Sequence, residues 1–281
     1  MSSNKLSQAS QAVITGAGSG IGRAFALDLA RRGGRVVCAD LNPATAEQTA
    51  ARIREHGADA LAVACDVSKL EQVEALAEAA EAFFGEAPDL VINNAGVGAG
   101  GKRVGETPME DWHWVMGVNM WGVIHGCHVF APRLQARGRG GIINVCSTAS
   151  FAAAPSMGPY NASKAAVLAL SETLAAECAG RGVTVTALCP TVVKTNIFAN
   201  GRIDESVTPL MNRWVALTGV SAEGVAKTTL KALDKGQLYV LPQIDARLIW
   251  RVKRYLPAAY ARPHSSDSCR PNQTAPKERN L

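Results

Sequence analysis

Two residues four positions apart carry side chains suited to moving a proton. Tyr160 and Lys164 lie in the run 159–166, which continues as an Ala-rich segment of helical period. The i, i+4 spacing places both side chains on one face of a helix. A free tyrosine, with a pKa of about 10, is a poor acid or base at neutral pH. A fixed ammonium beside it favours the phenolate and lowers its pKa, so the pair predicts general acid–base chemistry if other elements position it.

A glycine-rich turn near the start of the chain predicts a dinucleotide site. An apolar strand leads into residues 15–22, where glycine occupies positions 16, 18, 20 and 22, and a helix rich in Ala and Leu follows. Glycine lets the backbone approach a pyrophosphate closely. The helix N-terminus adds free N–H groups and the positive end of a dipole. The alternative, a plain tight turn, is disfavoured by the strand before it and the helix after it.

Asp40 closes the second predicted strand, where a carboxylate can accept hydrogen bonds from the adenosine ribose hydroxyls. A phosphate on that ribose would bring a second negative charge close to the carboxylate, so Asp40 predicts NAD rather than NADP. Arg23 is the nearest cation in the sequence, and we expect it to point away because it lies inside the following helix. The alternative for Asp40 is a polar strand end or a helix cap.

Short apolar runs alternate with longer segments of helical period along most of the chain. This alternation predicts an α/β fold, a single doubly wound Rossmann-type domain whose mostly parallel seven-stranded sheet has helices on both faces. Three helix starts are predicted from capping patterns, at Asn42-Pro43, at Ser68 and at 107–110. The predicted strands are 12–15, 35–39, 60–65, 90–92, 141–146, 183–188 and 238–241.

The rhythm of strands and helices sets the predicted domain boundaries. We expect an NAD-binding catalytic domain over 10–244 with a substrate lid near 195–218, a basic amphipathic helix at 245–262 and a disordered tail at 263–281. Residues 251–281 carry seven Lys/Arg against two acidic residues, which accounts for the whole net charge of +5. The first 250 residues are therefore neutral, and the basic character is confined to the C-terminal segment.

Composition excludes several classes of protein. Of 281 residues, 47% are hydrophobic, yet no apolar run reaches the roughly 18 residues of a membrane span. The polar N-terminus lacks the apolar centre of a signal peptide, so a cytoplasmic protein is expected. The seven cysteines form no C-x-x-C pair, which indicates small buried side chains and neither a disulfide framework nor a metal site. The basic tail lacks interleaved aromatic residues, so no nucleic-acid partner is predicted.

Five motifs, in order over about residues 10–242, give the sequence a specific resemblance. Residues 15–22 read T-G-x-x-x-G-x-G, 93–96 read N-N-A-G, and 117–119 end in an asparagine. Ser147 ends the fifth predicted strand, thirteen residues before the tyrosine, and 189–195 are similar to P-G-x-V-x-T. In these motifs and their order the sequence resembles the short-chain dehydrogenase/reductase family.

The resemblance implies a role for each catalytic candidate. Tyr160 would give or take the hydroxyl proton, and Ser147 would hold the substrate oxygen by a hydrogen bond. Lys164 would lower the pKa of the tyrosine and hold the nicotinamide ribose, and Asn119 would keep a water in the proton relay. One departure is Thr191, which stands where the family pattern has glycine and so restricts the backbone beside the nicotinamide.

The resemblance also implies two sets of binding residues. For NAD, these are Gly16, Ser19, Gly20, Ile21, Gly22, Asp40, Leu41, Asp66, Val67, Asn93, Ala95, Gly96, Tyr160, Lys164, Pro190, Val193 and Thr195. For the substrate, these are Ser147, Phe151, Met157, Tyr160, Val193, Phe198, Met211 and Trp214. The substrate set is mostly apolar and lacks a basic side chain, which favours a hydrophobic secondary alcohol or ketone. For Asn93 the alternative is a structural role, and for the apolar set it is core packing.

The predicted enzyme transfers a hydride between NAD and such a substrate, as an alcohol dehydrogenase or a ketone reductase. The alternative is a non-catalytic NAD-binding redox sensor or scaffold on the same fold. Segments 111–136 and 159–179 carry apolar residues on several faces, which predicts a homo-oligomer, a dimer or tetramer. The basic helix at 245–262 predicts a weak peripheral contact with a membrane, against the alternative of a solvated face.

Overall fold

The structure is a computed structural model that describes residues 5–195, 197, 201–204 and 219–261, without the side chains of 259 and 261. Three predicted substrate residues, Phe198, Met211 and Trp214, lie outside the described residues, as do most of the predicted lid and the predicted tail. Within the described residues the strands are β1 (Gln11–Thr15), β2 (Arg35–Asp40), β3 (Ala60–Ala64), β4 (Leu90–Asn93), β5 (Ala99–Gly100), β6 (Gly140–Val145), β7 (Val183–Leu188), β8 (Arg202–Ile203) and β9 (Tyr239–Val240).

Helices connect these strands in the alternating order that the sequence predicts. They are α1 (Gly20–Arg31), α2 (Pro43–Glu55), α3 (Leu70–Phe84), α4 (Met109–Met116), α5 (Gly122–Arg137), α6 (Ala149–Ala152), α7 (Gly158–Glu177), α8 (Ala222–Leu233), α9 (Ile244–Tyr255) and α10 (Pro257–Ala261). A π-helical turn, Gly117–Trp121, joins α4 to α5, and a short 3-10 turn, Val104–Glu106, precedes α4. None of the described helices is long and apolar enough to cross a membrane.

The main sheet is parallel and has seven strands in the order β3-β2-β1-β4-β6-β7-β9. The order reverses between β1 and β4, which both leave their carboxyl ends at the same edge of the sheet. In an open α/β sheet that reversal opens a crevice for a ligand. The predicted doubly wound Rossmann-type sheet is confirmed. A second sheet of two short strands, β5 and β8, lies beside it and was not predicted.

Two apolar layers cover the sheet, one on each face. On one face Phe25 of α1 and Leu230 of α8 are fully buried against the strands. On the other face Leu76 of α3, Phe130 of α5 and Val167 of α7 are fully buried. Because both faces are covered, the central strands β4 and β6 have no exposed residue, and their continuous apolar sequence follows from that burial.

One of the three predicted helix starts is confirmed and two are wrong. Ser68 does not cap α3, which begins at Leu70 after Lys69, and its hydroxyl donates to the Asp66 carboxylate at 2.7 Å. The Asn42 side chain accepts a hydrogen bond from the Ala44 N–H, with Pro43 at the first position of α2. Thr107 does not cap α4: that helix begins at Met109 after Pro108, and the Thr107 hydroxyl instead donates to the Arg103 carbonyl.

The long helices bury more of their apolar residues within the monomer than the oligomer prediction assumed. Val115, Val123, Val167 and Leu174 are all at most 7% exposed and pack in the monomer's own core. They are therefore unavailable to a partner subunit. Trp121, half exposed at the start of α5, is the large apolar side chain that remains on this surface. The six described cysteines are free and buried, as small hydrophobic side chains would be.

Candidate active site

A cleft runs along the carboxyl edge of the main sheet and brings most of the predicted site residues together. It is lined by the glycine turn, the ends of β2, β3, β4 and β6, and the segment after β7. The predicted residues that line it are Gly16, Ser19, Gly20, Ile21, Asp40, Leu41, Asp66, Val67, Ala95, Gly96, Ser147, Tyr160, Lys164, Pro190, Val193 and Thr195.

The glycine turn at one end of the cleft is packed so closely that side chains do not fit. A Cβ on Gly16, where φ is +64°, would lie 2.9 Å from the Ala95 Cα. A Cβ on Gly18 would lie 2.6 Å from an Asp40 carboxylate oxygen, and one on Gly22 would lie 2.2 Å from the Gly16 carbonyl. Gly22 therefore packs α1 against the turn and does not line the cleft. The exposed backbone and the N-terminus of α1 form a cradle that fits a dinucleotide pyrophosphate.

Asp40 stands at the end of β2, where the cleft meets the glycine turn. Its carboxylate accepts hydrogen bonds from the Gly18 N–H at 2.8 Å and from the Asn42 N–H at 3.0 Å. These two bonds fix the carboxylate at the mouth of the cleft and leave it partly exposed. A carboxylate so oriented can still accept hydrogen bonds from vicinal ribose hydroxyls, because each oxygen has more than one lone pair.

Arg23 does not point away from this carboxylate, contrary to the sequence expectation. Its guanidinium donates to the Gly18 carbonyl and, at 3.0 Å, to the Thr49 hydroxyl, so the side chain folds back against the glycine turn. Burial and the nearby Arg52 lower the pKa of Arg23, whereas the charge of Asp40 raises it. A cation therefore lies within electrostatic reach of Asp40. The sequence offered no sign of this, because the contact depends on how α1 packs against α2.

The catalytic candidates converge at the other end of the cleft. Ser147, after β6, and Tyr160, on α7, both line this end of the cleft, close enough for the serine hydroxyl to lower the pKa of the tyrosine. Lys164 follows Tyr160 by one helical turn, and its ammonium nitrogen lies 5.9 Å from the centre of the tyrosine ring. The Lys164 Nζ donates to the Val145 carbonyl at 2.8 Å, which anchors the ammonium at the end of β6.

Burial shifts the pKa values of the tyrosine and the lysine in opposite directions. It raises the pKa of Tyr160, and the nearby Ser147 hydroxyl lowers it by less. It lowers the pKa of Lys164 to about 8, because the buried ammonium loses hydration. The net shift of Tyr160 is opposite to the lowering predicted from Lys164. The reason is burial, because loss of hydration disfavours the phenolate.

Asn119 is buried behind the cleft and does not line it. It lies in the π-helical turn, where its side chain accepts from the Val97 N–H at 2.8 Å and donates to the Val97 carbonyl at 2.9 Å. A Cβ on Gly96 would lie 3.1 Å from the Asn119 carbonyl oxygen and 3.5 Å from the Lys164 Nζ. Asn119 and Lys164 thus meet behind Gly96, within reach of a shared water. Such π-helical turns are frequent at functional sites.

Three further predicted residues lie away from the cleft. Asn93 is 2% exposed, and its amide donates to the Asn144 carbonyl oxygen at 2.9 Å, so it ties β4 to β6. Phe151 packs edge-on against Trp250 at 5.1 Å between ring centres. Met157 forms an isolated bridge with Lys102. The packing of Asn93 supports its alternative, a structural role. Phe151 and Met157 contact neighbouring elements and do not line the cleft.

Several cleft residues were not predicted. Trp114, Val118 and Ile197 extend the apolar wall, and Asn94 both lines the cleft and donates to the Thr15 carbonyl at 2.9 Å. The sequence indicates Trp114 only weakly. It precedes the motif at 117–119 by one helical turn, so the two are expected on the same face of a helix.

Thr191, which departs from the family pattern, is held by the end of the chain's last strand and the helix after it. The Thr191 N–H donates to the side chain of Gln243 at 3.2 Å, and its hydroxyl donates to Asp245 at 3.1 Å. Gln243, only 7% exposed, also donates to the Val192 carbonyl at 3.1 Å. The α9 start therefore positions the segment at the nicotinamide end of the cleft. Contacts across about fifty residues leave no local sequence signal.

Comparison with known proteins places this site in a family. The profile described as short chain dehydrogenase matches residues 10–206. "Probable oxidoreductase EphD" of Mycobacterium bovis is 39% identical over 256 residues, which is 88% of this chain and 43% of that protein. The chain thus spans less than half the length of that relative. "1-deoxy-11-beta-hydroxypentalenate dehydrogenase" of Streptomyces exfoliatus is 37% identical over 249 residues, 86% of each protein.

A solved structure agrees with the sequence relatives. The crystal structure of a short chain dehydrogenase/reductase from Burkholderia phymatum in complex with NAD has a TM-score of 0.82 and 38% identity. It covers 86% of this chain and 92% of its own. The chain therefore belongs to the short-chain dehydrogenase/reductase family.

Proposed function

We propose that the protein is an NAD-dependent dehydrogenase or reductase that acts on a hydrophobic secondary alcohol or the matching ketone. The observation that carries this proposal is that Ser147, Tyr160 and Lys164 line the same part of the cleft, with Lys164 one helical turn after Tyr160 on α7. A non-catalytic sensor on the same fold would need the glycine turn and Asp40, but it would not need an acid–base pair aimed into the cleft.

Each catalytic side chain has a task that its geometry suits. A bound nicotinamide supplies the acceptor or donor of the hydride. The Tyr160 hydroxyl gives its proton to the ketone oxygen in reduction, and in oxidation the deprotonated Tyr160 oxygen takes the proton of the substrate hydroxyl. The Ser147 hydroxyl holds the same oxygen by a hydrogen bond. Below pH 8 the Lys164 ammonium is charged and favours the tyrosinate, while its anchoring by Val145 fixes its position.

NAD is the proposed cofactor because of the charges around its adenosine end. Asp40 is fixed where the ribose hydroxyls would lie, and Asp66 also lines this end of the cleft. Both carboxylates disfavour the additional phosphate of NADP. Arg23 opposes this effect in part, because its guanidinium is bound to the adjacent Gly18 carbonyl.

A hydrophobic substrate is proposed from the composition of the cleft wall. Near the catalytic pair the wall includes the apolar side chains of Val97, Trp114, Val118 and Ile197. Among the described residues that line the cleft, Lys164 is the sole cationic side chain, and it is committed to the catalytic pair. A substrate carboxylate or phosphate would find no second cation there, and an uncompensated charge would be costly to bury.

A panel of substrates tests this proposal directly. Aryl carbinols, long-chain 2-alkanols and hydroxysteroids would be oxidised with NAD while the absorbance of NADH is followed, with short hydroxy acids as charged controls. We expect turnover of at least one hydrophobic class and none of the hydroxy acids. Binding of NADH without turnover of any member, in either direction, would favour the sensor. Turnover of the hydroxy acids alone would contradict the proposed substrate class.

A further inference from the structure

Helix α9 leaves large apolar side chains in solvent along one face. Ile244, Leu248 and Tyr255 are 82%, 62% and 75% exposed, and Leu256, just after the helix, is 59% exposed. Ile244, Leu248, Arg251 and Tyr255 occupy positions i, i+4, i+7 and i+11, so they form one stripe about 17 Å long, and Leu256 follows at its end. We call Ile244, Leu248, Arg251, Tyr255 and Leu256 the α9 outer face. Its apolar residues are too close together to be scattered single exposures.

Basic residues lie within this stripe and along one side of it. Arg251 lies in its centre, and helical spacing places Arg247 and Arg254 along one flank. Arg247 is held by the Leu241 carbonyl at 2.9 Å, and Arg254 lies 5.5 Å from the centre of the Trp250 ring. The one acidic residue of the helix, Asp245, is bound to the Thr191 hydroxyl on the other flank. The α9 outer face is therefore apolar along its centre and positively charged at its edge.

We propose that the α9 outer face docks on an anionic lipid bilayer. Apolar side chains enter the boundary between headgroups and acyl chains, while arginines bind the lipid phosphates, which is the pattern of interfacial helices. The positive charge selects this occupant over a second copy of the chain. A twofold contact through this face would bring Arg251 towards its own symmetry mate, and like charges repel.

The inner side of the same helix connects the proposed surface to the active site. Trp250 packs against Phe151 of α6, and the Tyr260 hydroxyl of α10 donates to the Ala152 carbonyl at 2.9 Å. Gln243, just before α9, holds the backbone of the 190–193 segment. Docking would thus place the segments that flank the cleft next to the bilayer, where hydrophobic compounds accumulate. The docking surface itself does not depend on the proposed substrate.

The test is cosedimentation of the full-length protein with vesicles of phosphatidylcholine, with or without phosphatidylglycerol. We expect binding to the anionic vesicles, weakened by high salt, and at least about tenfold weaker binding to the neutral ones. Leu248→Glu should lower the partition to anionic vesicles at least about tenfold, and Arg251→Gln about fivefold. Met109→Glu, at a 64% exposed site on α4, and Arg31→Gln, on α1, are matched controls and should bind as the parent does.

Melting temperature and circular dichroism of each variant establish that it is folded, whatever its activity. The proposal is overturned if the parent does not cosediment with anionic vesicles. It is also overturned if Leu248→Glu and Met109→Glu bind equally well, because the basic tail present in both would then account for binding. A change of oligomeric state in Leu248→Glu with unchanged vesicle binding would assign the face to a contact between copies.

Discussion

Replacing Asp40 by alanine should narrow the preference of the enzyme for NAD over NADP. The carboxylate is fixed by the Gly18 and Asn42 N–H groups at the place where a ribose phosphate would lie. Two unit charges about 4 Å apart, at an effective dielectric near 20, repel by up to roughly 4 kcal/mol. Partial exposure of Asp40 reduces that value.

Arg23 reduces the discrimination further, since its guanidinium lies beside the same turn and would attract the phosphate. A net effect of about 1.5 to 3 kcal/mol corresponds to a ten- to hundredfold preference for NAD in the parent. In Asp40→Ala the kcat/KM values for NAD and NADP should differ by no more than about threefold. Asp40→Ala with Leu41→Arg should reverse the preference. Arg23→Gln should instead increase the preference for NAD, and Arg23→Lys, which keeps the charge, should restore the parent ratio.

The assay is kcat/KM for each cofactor with one substrate, measured in the parent and in each variant. Low ionic strength should widen the differences, because the site is partly exposed to solvent. Equal values for NAD and NADP in the parent would show that Asp40 serves only as a cap for the glycine turn. A lower NAD preference in Arg23→Gln would refute the reasoning about the cation, provided that the melting temperature is unchanged.

Three further predictions concern stability and assembly. Gly126→Ala should lower the free energy of unfolding, measured by denaturant titration, by about 2–4 kcal/mol, because its Cβ would lie 2.0 Å from the buried Asn93 carbonyl oxygen. Gly105→Ala, with open space around it, is the control and should change the free energy of unfolding by less than about 0.5 kcal/mol. The pKa of Lys164 is lowered to about 8 from 10.5, so the cost of burying its charge is full below pH 8 and is relieved as the pH rises towards 10.5. Relative to Lys164→Met, the parent should therefore gain about 2 kcal/mol between pH 7 and 9.5, and a constant difference would contradict this. Finally, light scattering should show a dimer or tetramer that Trp121→Glu dissociates, whereas a parent of 29.5 kDa alone would count against assembly.

The sheet was predictable from the sequence because of where its strands lie. Strands buried on both faces are mostly apolar or β-branched, so the run 183–188 could be bounded without knowledge of its neighbours. The two-residue strands β5 and β8 could not, since each exists only through its pairing with the other, about a hundred residues away. The Thr107 capping prediction failed for a related reason: Pro108 shifted the helix start and Arg103 offered a closer acceptor.

The same distinction holds for the site. Tyr160 and Lys164 share one helix, so their relation follows from spacing alone, and the glycine turn is equally local. Asn93 belongs to a local motif too, but the direction of its side chain depends on Asn144 of another strand. Packing between distant elements, in contrast, produces two other contacts. The Arg23 side chain is hydrogen-bonded to the glycine turn, and Gln243 is hydrogen-bonded to the backbone of the 190–193 segment. Sequence patterns identify local chemistry but not these long-range contacts.

Turnover and cofactor binding of Tyr160→Phe, measured together, test the central claim most directly. The substitution keeps the ring and removes only the hydroxyl that would transfer the proton. We expect kcat to fall by roughly 10²–10⁴, while the Kd for NADH, followed by fluorescence, stays within about threefold of the parent. Tyr239→Phe, which removes a hydroxyl bound to Glu172 at the sheet edge, is the matched control and should keep full turnover. A kcat for Tyr160→Phe within about tenfold of the parent would contradict the assignment of Tyr160 as the acid–base group.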